Sequence, residues 1–291
     1  MKVDLEIKES LKSKVIENYS RIKPSLFFVP LFILSAIAFF LYTKNALSVI
    51  KYIDVQKDYF YYINSKLSVF PHLMFNLTQL GDAFIFLSVV SFLVIYAPKV
   101  WEALLSASII SALFTNVLKK LFEVPRPAAI LDPSTFTIIG EKLTGHNSLP
   151  SGHSITIFTM LTVLFFSFMP KNKKYKIAWS FFMIYIGLLL VFTRVGTGAH
   201  YPFDVIIGGL IGAICGISGI IISQKYPLWS WITSKKHNLI CTVLFIVGIA
   251  LLVNKIIQSN LIIYYFTLIC LLFSLYKIIF SSLRSAVKSN I

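Results

Sequence analysis

The chain has 291 residues, 57% of them hydrophobic and 13% charged, with a mean hydropathy of +0.79. A soluble domain carries about 25% charged and roughly 45–50% apolar residues, so a water-soluble protein is excluded and an integral membrane protein is expected. Twenty-seven Lys and Arg against twelve Asp and Glu give a net charge of +15, which cytoplasmic loops and anionic headgroups account for without a nucleic-acid partner.

In chain order, residues 1–24 are polar and basic, which reads as a cytoplasmic segment without the apolar stretch of a cleavable signal peptide. A spanning helix uses about 20 residues, and suitable apolar runs occur at 25–42, 83–98, 102–122, 153–169, 177–193, 203–223, 238–254 and 261–280. The expected fold is an all-α polytopic membrane helix bundle, with a six-span core over 25–223 and a C-terminal extension over 224–291 holding two more spans. Between the first two runs, 43–82 alternates Tyr52, Phe60, Tyr61, Tyr62 and Phe70 with Lys and Asp, a composition suited to helices lying in the membrane interface. Cys215, Cys241 and Cys270 stand apart inside apolar runs, without metal-ligand spacing, and read as packing residues. With the N-terminus in the cytoplasm, 17 of the 27 basic residues lie inside, Lys171-Asn172-Lys173-Lys174 among them, and loops 123–152 and 194–202 face away.

Ionisable groups are scarce in such a chain, and they gather on that outer side. Lys119 and Arg126-Pro127 flank the end of the third span. Asn147-Ser148-Leu149-Pro150-Ser151-Gly152-His153 leads into the fourth, Thr193-Arg194 ends the fifth, and His200-Tyr201-Pro202-Phe203-Asp204 opens the sixth. Lys119, Arg126 and Arg194 lack an equal number of carboxylates, which is costly near a bilayer unless an anion completes the group. A phosphate would do so. Pro150-Ser151-Gly152-His153 turns into a helix whose free N–H groups and positive end favour an anion, Gly152 allows close backbone approach, and Ser151 adds a hydroxyl.

Two histidines can then divide a phosphoryl transfer, one neutral to attack phosphorus and one protonated to supply the leaving oxygen. Asp204 lies four residues beyond His200 at a helix start, placed to fix the imidazole tautomer, so His200 is the expected nucleophile and His153 the general acid. Taken singly, Asp204 could be a first-turn carboxylate, Lys119 and Arg126 snorkelling anchors, and Ser151 an N-cap. Unrelated anchors, however, have no reason to combine these spacings on one membrane face.

The pattern Lys119-x6-Arg126-Pro127, Pro150-Ser151-Gly152-His153 and Thr193-Arg194-x5-His200-x3-Asp204 resembles the three-part signature of the type 2 phosphatidic acid phosphatase family, departing from it with Thr193 in place of Ser. The resemblance implies that Lys119, Arg126, Ser151, Gly152 and Arg194 hold phosphate. It also implies that His200 forms a phosphohistidine, His153 protonates the leaving group and Asp204 supports His200, with no metal and no cofactor.

The expected protein is therefore a multi-pass lipid phosphatase of a bacterial inner membrane, acting at the periplasmic or outer face, with lipid A or undecaprenyl diphosphate as preferred substrates and the bilayer as its setting. A lipid-to-lipid phosphotransferase using the same site, or a non-catalytic transporter or scaffold of the same fold, are the alternatives. His146 reads as a solvated loop residue, Lys120 as an interface anchor pointing away from Lys119, and His72 and His237 as interfacial. Gly208, Gly209, Gly212 and Gly216 have the spacing of a close helix contact.

Overall fold

A computed structural model describes residues 2–229, 231 and 238–289; the expected interfacial residue His237 lies outside this set. In chain order the helices are α1 (Lys2–Tyr19), α2 (Phe28–Thr43), α3 (Val49–Leu67), α4 (Pro71–Thr78), α5 (Ala83–Val89), α6 (Leu93–Tyr96), α7 (Pro98–Phe122), α8 (Pro127–Ile130), α9 (Gly152–Ser167), α10 (Lys173–Gly196), α11 (Pro202–Lys225), α12 (Asn238–Ser259) and α13 (Ile262–Ser289). The described elements are all helical, as the sequence leads one to expect.

Among the described residues six helical segments are long and apolar enough to cross a membrane: Pro24–Thr43, Pro98–Ile130, Lys173–Gly196, Pro202–Lys225, Leu239–Ser259 and Ile262–Phe280. The 16-residue α9 is shorter, yet apolar and almost wholly enclosed by α7, α10 and α11. The run at 83–98 differs from expectation because it is no continuous helix. Asp82 caps α5, its Oδ1 accepting from Phe84 N at 2.8 Å, so the chain is re-started there rather than carried through. A second break at Val90–Phe92 buries Ser91 completely. The chain instead travels from α3 to α7 by way of α4, a 3₁₀ turn at Gln79–Gly81, α5 and α6.

The two ends of the bundle are distinct. At one end α1 closes the α9–α10 turn: Asn18 Nδ2 donates to the carbonyls of Ser167 and Met169 at 3.0 and 3.1 Å, and Lys171 meets Glu17 at 2.6 Å. At the other end α3 lies across the tips of α10 and α11. It is amphipathic as expected, but its inner face is polar too: Gln56 Oε1 accepts from Phe203 N at 2.8 Å, and Asn64 Nδ2 donates to Thr137 O and Val195 O at 3.0 and 3.1 Å. The groups with candidate chemistry sit at this end.

Between α9 and α11 the expected glycine seam is present. A Cβ added at Gly208 would stand 2.7 Å from the carbonyl oxygen of Ser151, and one at Gly216 would stand 2.7 Å from Thr162 Cβ. The absence of side chains lets the helices meet at backbone distance, where dispersion rather than hydrophobic transfer holds membrane helices together. Cys215 and Cys241 are buried, Cys270 is partly so, and all three are free thiols, in keeping with packing roles.

Candidate active site

α7 stops at Glu123, whose left-handed backbone (φ 47°) and N–H bond to Lys119 O close the last turn. Two backbone bonds pin the return of the chain, Arg126 N to Gly145 O at 3.0 Å and Ser148 N to Val124 O at 2.8 Å. They carry Arg126 inward, where it is 8% exposed. Its Nε donates to Asn147 Oδ1 at 2.7 Å and its Nη1 to Ala199 O at 3.4 Å, and Nη1 lies 3.4 Å from His200 Nε2.

α9 starts at the same level. Ser151 is its N-cap, accepting from Ser154 N and Ser154 Oγ at 3.4 and 3.0 Å, while Ser151 N donates to Asp204 O at 3.0 Å. Acting as a cap uses the lone pairs of the hydroxyl and leaves its proton available, so the cap and the anion-donor readings are compatible. Gly152 faces Lys119: a Cβ built on it would stand 3.5 Å from Lys119 Nζ. Lys119 is half-buried and its neighbour Lys120 exposed, as the helical angle between them requires. His153 packs its ring on Gly81, where an added Cβ would stand 2.5 Å from Cδ2.

α10 delivers Arg194, 7% exposed, with Nη1 donating to Thr78 Oγ1 at 2.9 Å and Nε buried without a partner among the described residues. Arg194 O accepts from both Ala199 N and His200 N, so the tight loop at the end of α10 fixes the backbone of the histidine. His200 is 1% exposed. Burial, then the nearby Arg126, Arg194 and Lys119 charges, hold its imidazole well below the usual histidine range. It is neutral at pH 7.

Asp204, fully buried, stands behind His200 with Oδ2 3.5 Å from Nδ1. That carboxylate is saturated: Tyr52 OH donates to Oδ1 at 2.7 Å, and Ser148 Oγ and Tyr201 N donate to Oδ2 at 2.5 and 3.0 Å. Ser148 Oγ is also 3.4 Å from His200 Nδ1. The histidine is thus held at Nδ1 by a serine–carboxylate pair, and Nε2 is the nitrogen facing Arg126. Tyr52 stays a protonated donor, since burial and then the Asp204 charge push its phenol well above the ordinary tyrosine range.

All eight residues singled out from the sequence meet at this end of the bundle. Among the described residues no carboxylate pairs with Lys119, Arg126 or Arg194. Sequence reading missed Tyr52, Gln56, Asn64 and Thr78. The first three recur at intervals of four and eight on α3, a polar stripe beside buried Phe60 that marks an inward face; Thr78 carries no such signal. Ser148 and Asn147 lay inside the stretch quoted for its motif without a role. His146 is exposed, as expected of a loop residue, and His72 is exposed at the start of α4. A cavity of about 840 Å³ lies elsewhere, between α2, α9, α10 and α11, and none of the eight lines it.

The architecture is that of a multi-pass membrane helix bundle with a cluster of three cations and two histidines at one end. Residues 100–229 match the PAP2 superfamily, and that stretch contains all eight residues. The chain is similar to the Lipid A 1-phosphatase of Rhizobium etli, 32% identical over 151 residues, covering 46% of this chain and 60% of that protein. It is 33% identical over 140 residues to the Lipid A 1-phosphatase of Rhizobium johnstonii, covering 46% and 52%. The Undecaprenyl-diphosphatase of Sulfolobus acidocaldarius is 28% identical over 160 residues, covering 54% and 72%. The chain thus spans between half and two thirds of the two lipid A 1-phosphatases. A crystal structure of Aquifex aeolicus LpxE aligns with 29% identity and a TM-score of 0.47, covering 59% of this chain and 96% of that one.

Proposed function

We propose that this protein is a lipid phosphatase that hydrolyses a lipid phosphate or diphosphate through a phosphohistidine, at the extracytoplasmic face of a bacterial inner membrane. One observation carries the reading: three cations, without carboxylate partners among the described residues, lie near a neutral imidazole whose Nε2 is 3.4 Å from one of them, Arg126. A tetrahedral anion is the ligand that completes such a group. The named activities of the relatives support lipid A and undecaprenyl diphosphate as the substrates to test first.

In the proposed reaction Lys119, Arg126, Arg194, the hydroxyl of Ser151 and the amides opening α9 hold the phosphoryl oxygens. Nε2 of His200 attacks phosphorus as the bond to the leaving oxygen breaks. His153, whose pKa burial and then the Arg194, Lys119 and Arg126 charges lower, takes up its proton as the phosphate anion offsets those charges, and gives it to that oxygen. His153 then takes a proton from water, whose oxygen attacks phosphorus. The P–N bond breaks, inorganic phosphate leaves, and His200 is restored. Phosphoryl transfer through a loose transition state asks mainly for positioning and charge neutralisation, which is what buried guanidinium groups supply. The distribution of basic residues supports an outward-facing site.

The test is phosphate release by purified protein from lipid A, undecaprenyl diphosphate and phosphatidic acid, with orthovanadate as a tetrahedral mimic. His200→Ala and His153→Ala are expected to abolish release while leaving the folded protein intact. Full activity in His200→Ala refutes the mechanism, and transfer of labelled phosphate to a second lipid, with none freed, replaces hydrolysis by phosphotransfer.

A further inference from the structure

His153 has no hydrogen-bond partner among the described residues, so the direction of its ring is set by packing, in which Gly81 takes part: a Cβ added there would stand 2.5 Å from His153 Cβ and Cδ2. Arg194 reaches one side-chain hydroxyl, that of Thr78. Two of the eight candidate residues therefore rest on the short segment 78–81, most of which is a three-residue 3₁₀ turn. Such a turn has poorer internal hydrogen bonds than an α-helix and does not hold its own shape well.

On its other side this segment is gripped by the C-terminal hairpin. Asn76 Oδ1 accepts from Ile263 N at 3.1 Å, Gln79 Oε1 accepts from Tyr264 OH at 3.0 Å, and Lys255 Nζ lies 3.4 Å from Asp82 Oδ2. Lys255 also stands over the Tyr264 ring at 5.8 Å. Tyr264 is 4% exposed, so its bond is shielded from competition, whereas the Lys255–Asp82 pair is partly exposed and weaker. Both 76–82 and the hairpin lie outside the stretch that matches the superfamily.

We infer that α12 and α13 are a positioning device for the phosphoryl-transfer site: by clamping 76–82 they fix Gly81 under His153 and Thr78 against Arg194. Tyr264 and Lys255 are positioning residues that touch no reacting atom. The inference rests on the lipid phosphatase reading for its consequence in rate, while its geometric part does not.

The experiment uses the full-length chain in detergent, comparing Tyr264→Phe, Lys255→Gln and Lys255→Arg with the unaltered protein. Tyr264→Phe deletes one oxygen and keeps the packing, so a folded variant is secured. The substrate-free readout is the rate at which diethyl pyrocarbonate modifies His153, followed by mass spectrometry, with exposed His146 as the internal control. Tyr264→Phe and Lys255→Gln should raise the His153 rate about threefold and lower kcat about tenfold at little changed KM, as expected when a catalytic group is displaced by a fraction of an ångström. Lys255→Arg should restore both. Variants that unfold earlier on heating yet show unaltered His153 labelling and kcat would reduce the hairpin to structural support and overturn the inference. Should the unaltered protein release no phosphate from any lipid, the functional reading fails, and the labelling arm still decides whether the hairpin sets His153.

Discussion

An imidazole attacks phosphorus only when it is neutral, and His200 is kept so by burial and by three nearby cations. Because its folded pKa is depressed, the unfolded chain takes up a proton near the ordinary value of about 6.5 while the folded chain does not. The stability associated with this residue is therefore fully present above that pH and is lost as pH falls below it. Thermal unfolding of the purified protein between pH 8 and pH 5 should show this decline, and His200→Gln should flatten it. For the same reason the acid limb of kcat/KM contributed by His200 should lie below pH 6.5. Ser148 acts at the same scale. Its hydroxyl donates to Asp204 and adjoins Nδ1 of His200, so Ser148→Ala removes one of the two hydrogen bonds that Oδ2 accepts, at a cost of about 1.5–3 kcal/mol for a bond to a charged group. If that cost falls on the transition state, kcat drops roughly ten- to a hundredfold; a kcat within twofold would remove Ser148 from the site.

At the scale of elements, the site is a consequence of how closely two helices meet. α9 presents Ser151, Gly152 and His153 because α11 has no side chain at Gly208 to hold it away. Gly208→Ala places a Cβ against a backbone carbonyl that has no flexible end to yield, with an expected loss of about 1–3 kcal/mol in stability and a larger loss of kcat than of substrate affinity. Paired measurements of Tm and steady-state kinetics check this. α3 contributes through Tyr52; Tyr52→Phe should leave the helix in place and lower phosphate release by weakening the hold on Asp204.

The helix ends that carry the eight candidate residues were legible because charges, Pro and Gly at the tip of an apolar run have few other reasons to be there. What the sequence conceals is the set of partners brought from distant segments. Thr78 and Tyr52 are ordinary residues in an amphipathic stretch, and their inward direction follows from tertiary packing rather than from composition. The interrupted crossing was equally hidden, because residues 83–98 are as apolar as a continuous span, and its breaks depend on Asp82 as a cap and on a neighbour for Ser91.

At the scale of the whole molecule, the two ends of the bundle differ in charge and in chemistry, which gives the proposed orientation a direct check. In intact cells, cysteine introduced at Glu141 on the candidate site side should react with a membrane-impermeant thiol reagent. Cysteine introduced at Lys173, beside the α9–α10 turn, should react only after the membrane is opened. The reverse pattern would turn the site toward the cytoplasm.

The break at Val90–Phe92 also bears on how the protein can exist in lipid. Hydrocarbon offers no partner for irregular backbone, so a kinked passage is tolerated only where protein shields it. Here the shield is α13: Ser91 Oγ shares a hydrogen bond with Ser274 Oγ at 2.7 Å and reaches Cys270 O at 3.4 Å. A segment made near residue 90 must then wait for one made some 180 residues later before its polar groups are settled. During synthesis the second crossing is an unfinished structure until α13, made long after it, completes it.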